Sequence, residues 1–303
     1  MIGPVAIISM LAFMAGTAAT APPAAGEVRV SGDELEWIIE TPFLVADFRR
    51  NSGTSRSGQL NTILLKDSGV LLTRDRPTST VHLSPNSATG GRWAGINRWN
   101  PPRSFRTRRT SDGFRIEREG EMPGVPGLFV QTAYEFPAHV AAIEVEESVR
   151  AEREVQVSLL RLCEWSFAPG PANPFTHVAW EDAKGNLVIR TRENAAEPLP
   201  LNIRWQAFLS ATKRFGVAAV VERIESGAYP THGAAALFSG DPHYFYRVLV
   251  QAAGGALVTL PAGARYSTRY WFYLLRAPDP ERGAAAVHEF YLERRRIAMP
   301  AVK

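Results

Sequence analysis

Histidine, arginine and aromatic residues gather in the stretch from Tyr229 to Leu275. His232 sits in a turn context after Tyr229 and Pro230, and His243 opens the run His243–Arg247 (HYFYR) behind Asp241 and Pro242. On an extended strand His243, Phe245 and Arg247 share one face, and Tyr244 and Tyr246 share the other. An imidazole can accept a proton and a guanidinium can neutralise a carboxylate, which are the two requirements of β-elimination at a uronic acid. The plainer alternative is a histidine satisfied within a turn and an arginine lying along the sheet surface. His232, His243 and Arg247 are therefore the candidate catalytic residues.

A second group lies far upstream. Residues 83–102 show little strand or helix character, and uncovered loops longer than about 12 to 15 residues tend to be functional or disordered. Trp93 and Trp99 argue against disorder. Indoles stack on pyranose faces, while Arg98 and Asn100 suit hydroxyls or a carboxylate; the alternative is that both tryptophans close the end of a core. His177 follows a proline-rich connection and, with Glu181 on the same strand face, resembles an acid/base pair. Trp93, Arg98, Trp99, Asn100 and His177 complete the candidate site as substrate-binding residues. Glu164, between Cys163 and Trp165, is a weaker candidate for a desolvated acid.

The elements that must position these residues are short strands. Residues 62–66 and 70–73 flank the turn Asp67–Gly69, and residues 180–190 carry a second hairpin signal at Lys184–Asn186. Residues 142–150 and 154–161 alternate cleanly and read as consecutive antiparallel neighbours. More strands are expected over residues 34–40, 113–119, 129–136, 202–209, 216–221, 244–251 and 256–260. Only the tail has helical character: Asp279 can cap, Pro280 suits the first turn, and Arg294, Arg295 and Arg296 complement the carboxy-terminal end of the dipole. The pattern predicts an all-β fold, a large antiparallel β-sandwich with a C-terminal helix, because both faces of so many strands need covering. No blade period supports a propeller.

Bulk properties narrow the function classes. The 303 residues carry a net charge of +4, and only Lys66, Lys184, Lys213 and Lys303 among the 34 basic residues are lysine. Arginine suits carboxylates, sulfates and phosphates, but with alanine and proline also abundant the bias reads as genomic base composition. The basic residues are interspersed with acidic ones, so no nucleic-acid partner is expected. Cys163 is the only cysteine, which excludes an intramolecular disulfide. No His-Glu-x-x-His, paired cysteines, calcium loop or phosphate-binding glycine loop occurs, so neither metal nor cofactor is expected. The apolar run Val5–Met14, followed by small residues, reads as a secretory signal over residues 1–25, with a retained anchor as the alternative. The expected organisation is a signal over 1–25, a sandwich over 26–278, and a helix and tail over 279–303. The product would be secreted or periplasmic, without membrane association after cleavage.

The run His243–Arg247, the turn Leu260–Tyr266 and the aromatic closing strand Arg269–Leu274 together resemble the end of a galactose mutarotase-like domain. That superfamily is the β-supersandwich shared by aldose epimerases and by domains of many polysaccharide lyases and glycoside hydrolases. The resemblance implies a supersandwich over residues 30–276 and a carbohydrate partner, and carries no catalytic assignment. The sequence thus points to an exported carbohydrate-active protein that cleaves an oligo- or polysaccharide, with lyase action on an acidic polymer, through a His or Tyr base and Arg neutralisation, as one form. A non-catalytic carbohydrate-binding module or a structural envelope protein remains the alternative.

Overall fold

The computed structural model describes residues 27–32, 36–49, 59–73, 80–82, 93–95, 104–122, 125–166, 174–182, 184–191, 203–225, 233–237, 244–251 and 257–298. One five-stranded sheet is formed by β1 (Arg29–Gly32), β2 (Glu36–Glu40), β3 (Leu44–Arg49), β4 (Gln59–Leu65) and β5 (Leu71–Thr73), in that spatial order. A second contains β6 (Thr80–His82), β7 (Trp93–Gly95), β13 (Leu159–Ser166), β18 (Gly233–Leu237) and β19 (Tyr244–Gln251), ordered β18-β19-β13-β6-β7. β12 (Val155–Val157) pairs with β20 (Val258–Leu260).

The remaining nine strands make the largest sheet. They are β8 (Ser104–Arg109), β9 (Gly113–Glu121), β10 (Leu128–Pro137), β11 (Ala142–Ala151), β14 (His177–Glu181), β15 (Leu187–Thr191), β16 (Trp205–Ser210), β17 (Phe215–Glu225) and β21 (Arg265–Arg276). Their order is β15-β14-β16-β17-β21-β11-β10-β9-β8, and every neighbouring pair is antiparallel. The expected all-β sandwich with a terminal helix is the architecture observed. α1 (Pro280–Ala298) follows the last strand.

Period-two alternation decides which face of this sheet is covered. In β9, Phe114, Ile116 and Arg118 are buried while Arg115, Glu117 and Glu119 are only half-buried. The inward residues join one core with β2–β5 and with Trp165 of β13: Ile39, Phe48, Ile63, Ile116, Tyr134, Val145, Val217, Tyr270 and Phe272 all belong to it. A second core lies towards the other end of the strands, where Val130, Val149 and Tyr266 meet Leu160, Leu162, Val157 and Leu260. Two smaller sheets and the β12–β20 pair therefore cover one face of the nine-stranded sheet. Burying each such large apolar side chain contributes roughly 1.5–3 kcal/mol.

The opposite face is covered over β14, β16, β17 and β21 by α1. Ala284, Val287 and Phe290 pack on Trp205, Val220, Trp271 and Leu275, and Phe290 stacks on Tyr273 at 4.1 Å. Asp279 caps the helix through Oδ1, which accepts from the Arg282 amide at 2.7 Å. Gly283 lets the first turn approach closely, since a Cβ there would lie 2.8 Å from Leu209 Cδ2 and 2.9 Å from Ala277 Cβ.

Both hairpin turns read from the sequence form. Gly69 (φ 65°) and Gly185 (φ 83°) take left-handed conformations, and Asp182 Oδ1 accepts from the Lys184 and Asn186 amides. One strand pairing differs from expectation. β11 does not pair with the strand that follows it, because both of its edges are occupied, by β10 and by β21. Its last residue is closed as well, with Gly263 N donating to the Ala151 carbonyl at 2.8 Å. The chain therefore passes to the opposite layer, where β12 joins β20 and β13 joins β19 and β6.

Candidate functional site

Trp93 and Arg247 fall in the same five-stranded sheet, on β7 and β19, with β6 and β13 between them. Trp93 is in register with His82, and Arg247 with Leu162 and Ala234. His232, His243, Arg98, Trp99 and Asn100 lie outside the described residues. His177 begins β14 in the nine-stranded sheet, and its Nδ1 lies 2.8 Å from Thr176 Oγ1. Glu181 does not meet His177. Its Oε2 lies 2.9 Å from His288 Nδ1 and accepts from Trp205 Nε1 at 3.3 Å, so it ties α1 to the sheet. Glu164 and Cys163 belong to β13.

The inner face of the nine-stranded sheet holds a polar row that the sequence reading passed over. Arg118 on β9 is in register with Thr132 on β10, Thr132 with Glu147 on β11, and Glu147 with Thr268 on β21. Directly opposed residues on neighbouring strands share a face. All four are nearly inaccessible, at 4%, 3%, 1% and 2% exposure. The row separates the two cores: Ile116, Tyr134, Val145 and Tyr270 flank it on one side, Val130, Val149 and Tyr266 on the other. Burial pulls the Arg118 guanidinium below its ordinary pKa, and the nearby Tyr134 opposes that shift. Thr268 Oγ1 is buried without a hydrogen-bond partner among the described residues.

A relay from the facing layer ends on this row. Trp165 of β13 donates from Nε1 to the Tyr270 hydroxyl at 2.7 Å, and that hydroxyl donates to Glu147 Oε1 at 3.4 Å. Because the indole occupies the oxygen as acceptor, the phenol proton is directed at the carboxylate. Trp165 is itself fixed by stacking on Phe272 at 3.7 Å. β13 is the central strand of the sheet that carries Trp93 and Arg247. An arginine, a carboxylate and two phenols in one desolvated strip hold the strands in register.

The outer face beyond the helix is also charged, but its groups are paired with one another. Arg115 bonds Glu117 and Glu146, each at 2.6 Å, and Arg269 bonds Glu144 and approaches Glu222 at 3.3 Å and Glu146 at 3.6 Å. Burial works to lower the Arg115 pKa, but the two carboxylates outweigh it and hold the guanidinium above its ordinary value. Burial pushes the Glu144 carboxyl up, against the opposing pull of Arg269. A bulge between Val221 and Arg223 brings Glu222 to this face, where it accepts from Trp271 Nε1 at 2.5 Å.

No protein-family model matches the sequence, and no curated protein gives a significant match. Solved structures do match in fold. An α-N-acetylgalactosaminidase, NagBb, from Bifidobacterium bifidum overlaps with a TM-score of 0.54 at 10% identity, over 85% of this chain and 39% of that enzyme. An α-mannosidase from Enterococcus faecalis V583 overlaps with a TM-score of 0.51 at 11% identity, over 85% of this chain and 31% of that enzyme. A galactose 1-epimerase from Lactobacillus acidophilus NCFM overlaps at 0.43, with 10% identity, over 83% of this chain and 99% of the epimerase. The chain thus spans well under half the length of the two glycosidases. The sandwich implied by the galactose mutarotase-like resemblance is upheld at the level of fold.

Proposed function

We propose that this is an exported carbohydrate-active protein that acts on an acidic oligo- or polysaccharide. The observation that carries the reading is a fold shared with two glycosidases, in which one five-stranded sheet brings together Trp93 and Arg247 from opposite ends of the sequence. In this proposal Arg247 neutralises the uronate carboxylate and His232 or His243 removes the proton α to it. The bond from the neighbouring ring carbon to the glycosidic oxygen breaks, a carbon–carbon double bond forms in its place, and the leaving oxygen takes up a proton. Trp93, Arg98, Trp99 and Asn100 bind the flanking saccharide. Export is supported by the apolar run Val5–Met14.

A second reading has an observation of its own. The Arg118–Thr132–Glu147–Thr268 row is almost wholly inaccessible and fixes strand register between the two cores, so it supplies no acid or base to a ligand, which favours saccharide binding without turnover. Incubation with a panel of acidic and neutral polysaccharides separates the two. Unsaturated-uronate absorbance appearing with acidic polymers supports the lyase reading. New reducing ends without that absorbance replace elimination by hydrolysis, and binding without either product leaves a binding module.

A further inference from the structure

We infer that a second binding site, for a ligand of about monosaccharide size that bears a carboxylate, sulfate or phosphate, lies between the end of α1 and the outer face of the nine-stranded sheet. A cavity of about 400 Å³ opens there, lined by Arg204, Val220, Glu222, Tyr291, Arg294 and Arg295 among others. Its volume falls in the range of small-molecule sites, roughly 300–1,000 Å³. It is on the opposite face of the sheet from the Arg118–Glu147 row, and its assignment does not depend on what that row does.

Charge is what selects the ligand. Tyr291, Arg294 and Arg295 occupy one helix face at three- and four-residue spacing, and Arg204 approaches from the start of β16. Neither Arg204 nor Arg295 forms an ion pair among the described residues, whereas Arg115, Arg150 and Arg269 each contact two or more carboxylates. Among the described residues Arg294 has as carboxylate partner only Glu293, its neighbour in the chain, at 3.8 Å. The acidic group in the lining, Glu222, is already held by Trp271 and Arg269. Three guanidiniums thus surround a cavity whose carboxylate is neutralised from outside it.

Arginines at a helix end commonly serve the helix dipole, and that accounts for Arg295 and Arg296. It does not account for Arg294, whose side chain is only 13% exposed. Its guanidinium lies 4.7 Å from the Trp271 ring centre and 4.9 Å from that of Phe290. Stacking fixes the plane of the guanidinium but leaves its edge available, and its Nε is buried without a hydrogen-bond partner among the described residues. A planar fork held in place, with two further guanidiniums around it, is suited to an oxyanion. Tyr291 can take a hydroxyl of the same ligand.

Thermal-shift and calorimetric titrations with glucuronate, a hexose phosphate, glucose and inorganic sulfate test this. Binding by glucuronate or the hexose phosphate, weakening as salt rises and absent with glucose, is expected. Arg204→Ala, at an exposed position, should weaken binding roughly tenfold or more, as the loss of one charge-assisted contact does. Arg294→Met, which keeps an apolar chain over Trp271, should do the same, while depolymerisation of uronate polymers stays unchanged in both variants. No binding of either acidic sugar overturns the site. Affinity for inorganic sulfate equal to that for the acidic sugars reduces it to an ion site and overturns the ligand class. Undiminished binding in both variants overturns the location.

Discussion

Replacing Tyr270 by phenylalanine removes one oxygen from the centre of the molecule and leaves everything else in shape. That oxygen accepts from Trp165 Nε1 at 2.7 Å and donates to Glu147 at 3.4 Å. Trp165 and Tyr270 are both fully buried, so no water replaces the lost acceptor. An orphaned buried donor costs about 1–3 kcal/mol, whereas the long contact to Glu147 contributes little. The variant should lose about 2 kcal/mol; at about 2–4 °C per kcal/mol for domains of 150–250 residues, that is a fall of roughly 4–8 °C in melting temperature. Trp165→Phe removes the donor, so in its background the tyrosine substitution should cost only a few tenths of a kcal/mol. Chemical denaturation of the four proteins in this cycle gives the coupling. Equal cost of Tyr270→Phe in both backgrounds would refute the relay from β13 to the row.

Three further outcomes follow from the packing and the charges. Asp279→Ala removes the acceptor of the Arg282 amide and should cost about 1 kcal/mol, read as a lower melting temperature. Gly283→Ala would stabilise an exposed helix by about 0.8–1.0 kcal/mol, but here the new methyl meets Leu209 and the Cβ of Ala277, so the melting temperature should fall; a rise of the size expected from helix propensity would contradict the close approach. Glu144, whose pKa is raised by burial, holds its proton in the folded state to higher pH than in the unfolded chain. Its contribution therefore favours folding most below the ordinary carboxylate range and declines as pH rises through its raised value. Glu144→Gln should remove that part of the pH dependence, and denaturation midpoints of both proteins across this range check it.

The parity of the strands was legible in the sequence, and it already carried the row. In residues 113–119 the apolar phase runs Phe114, Ile116 and then Arg118; in 142–150 it runs Ile143, Val145, Glu147 and Val149. A charged residue in the phase that points inwards is the signal, and reading alternation only as evidence for a strand passes over it. Which strand brings Thr268 and Tyr270 beside Glu147 is a different matter, because β11 is flanked by β10 and by β21, more than a hundred residues later. The expectation that β11 pairs with the next strand failed for the same reason: local alternation fixes a face but not a neighbour. Trp93 and Arg247, by contrast, were grouped from residue type alone, and the topology places them in one sheet. His177 and Glu181 share a strand as expected, yet the helix supplies the histidine that Glu181 meets.

The central proposal is that the protein acts on an acidic saccharide at the sheet that carries Trp93 and Arg247. The most direct test follows unsaturated-uronate formation by the wild-type protein and by Arg247→Ala on the same uronate polymer, with binding of that polymer measured in parallel. The account predicts turnover by the wild type and turnover lowered by about 10²–10³-fold in the variant on bound polymer, the range expected for loss of one group that stabilises the developing charge. Turnover by Arg247→Ala at the wild-type rate, or a wild-type protein that leaves the polymer intact, would contradict it.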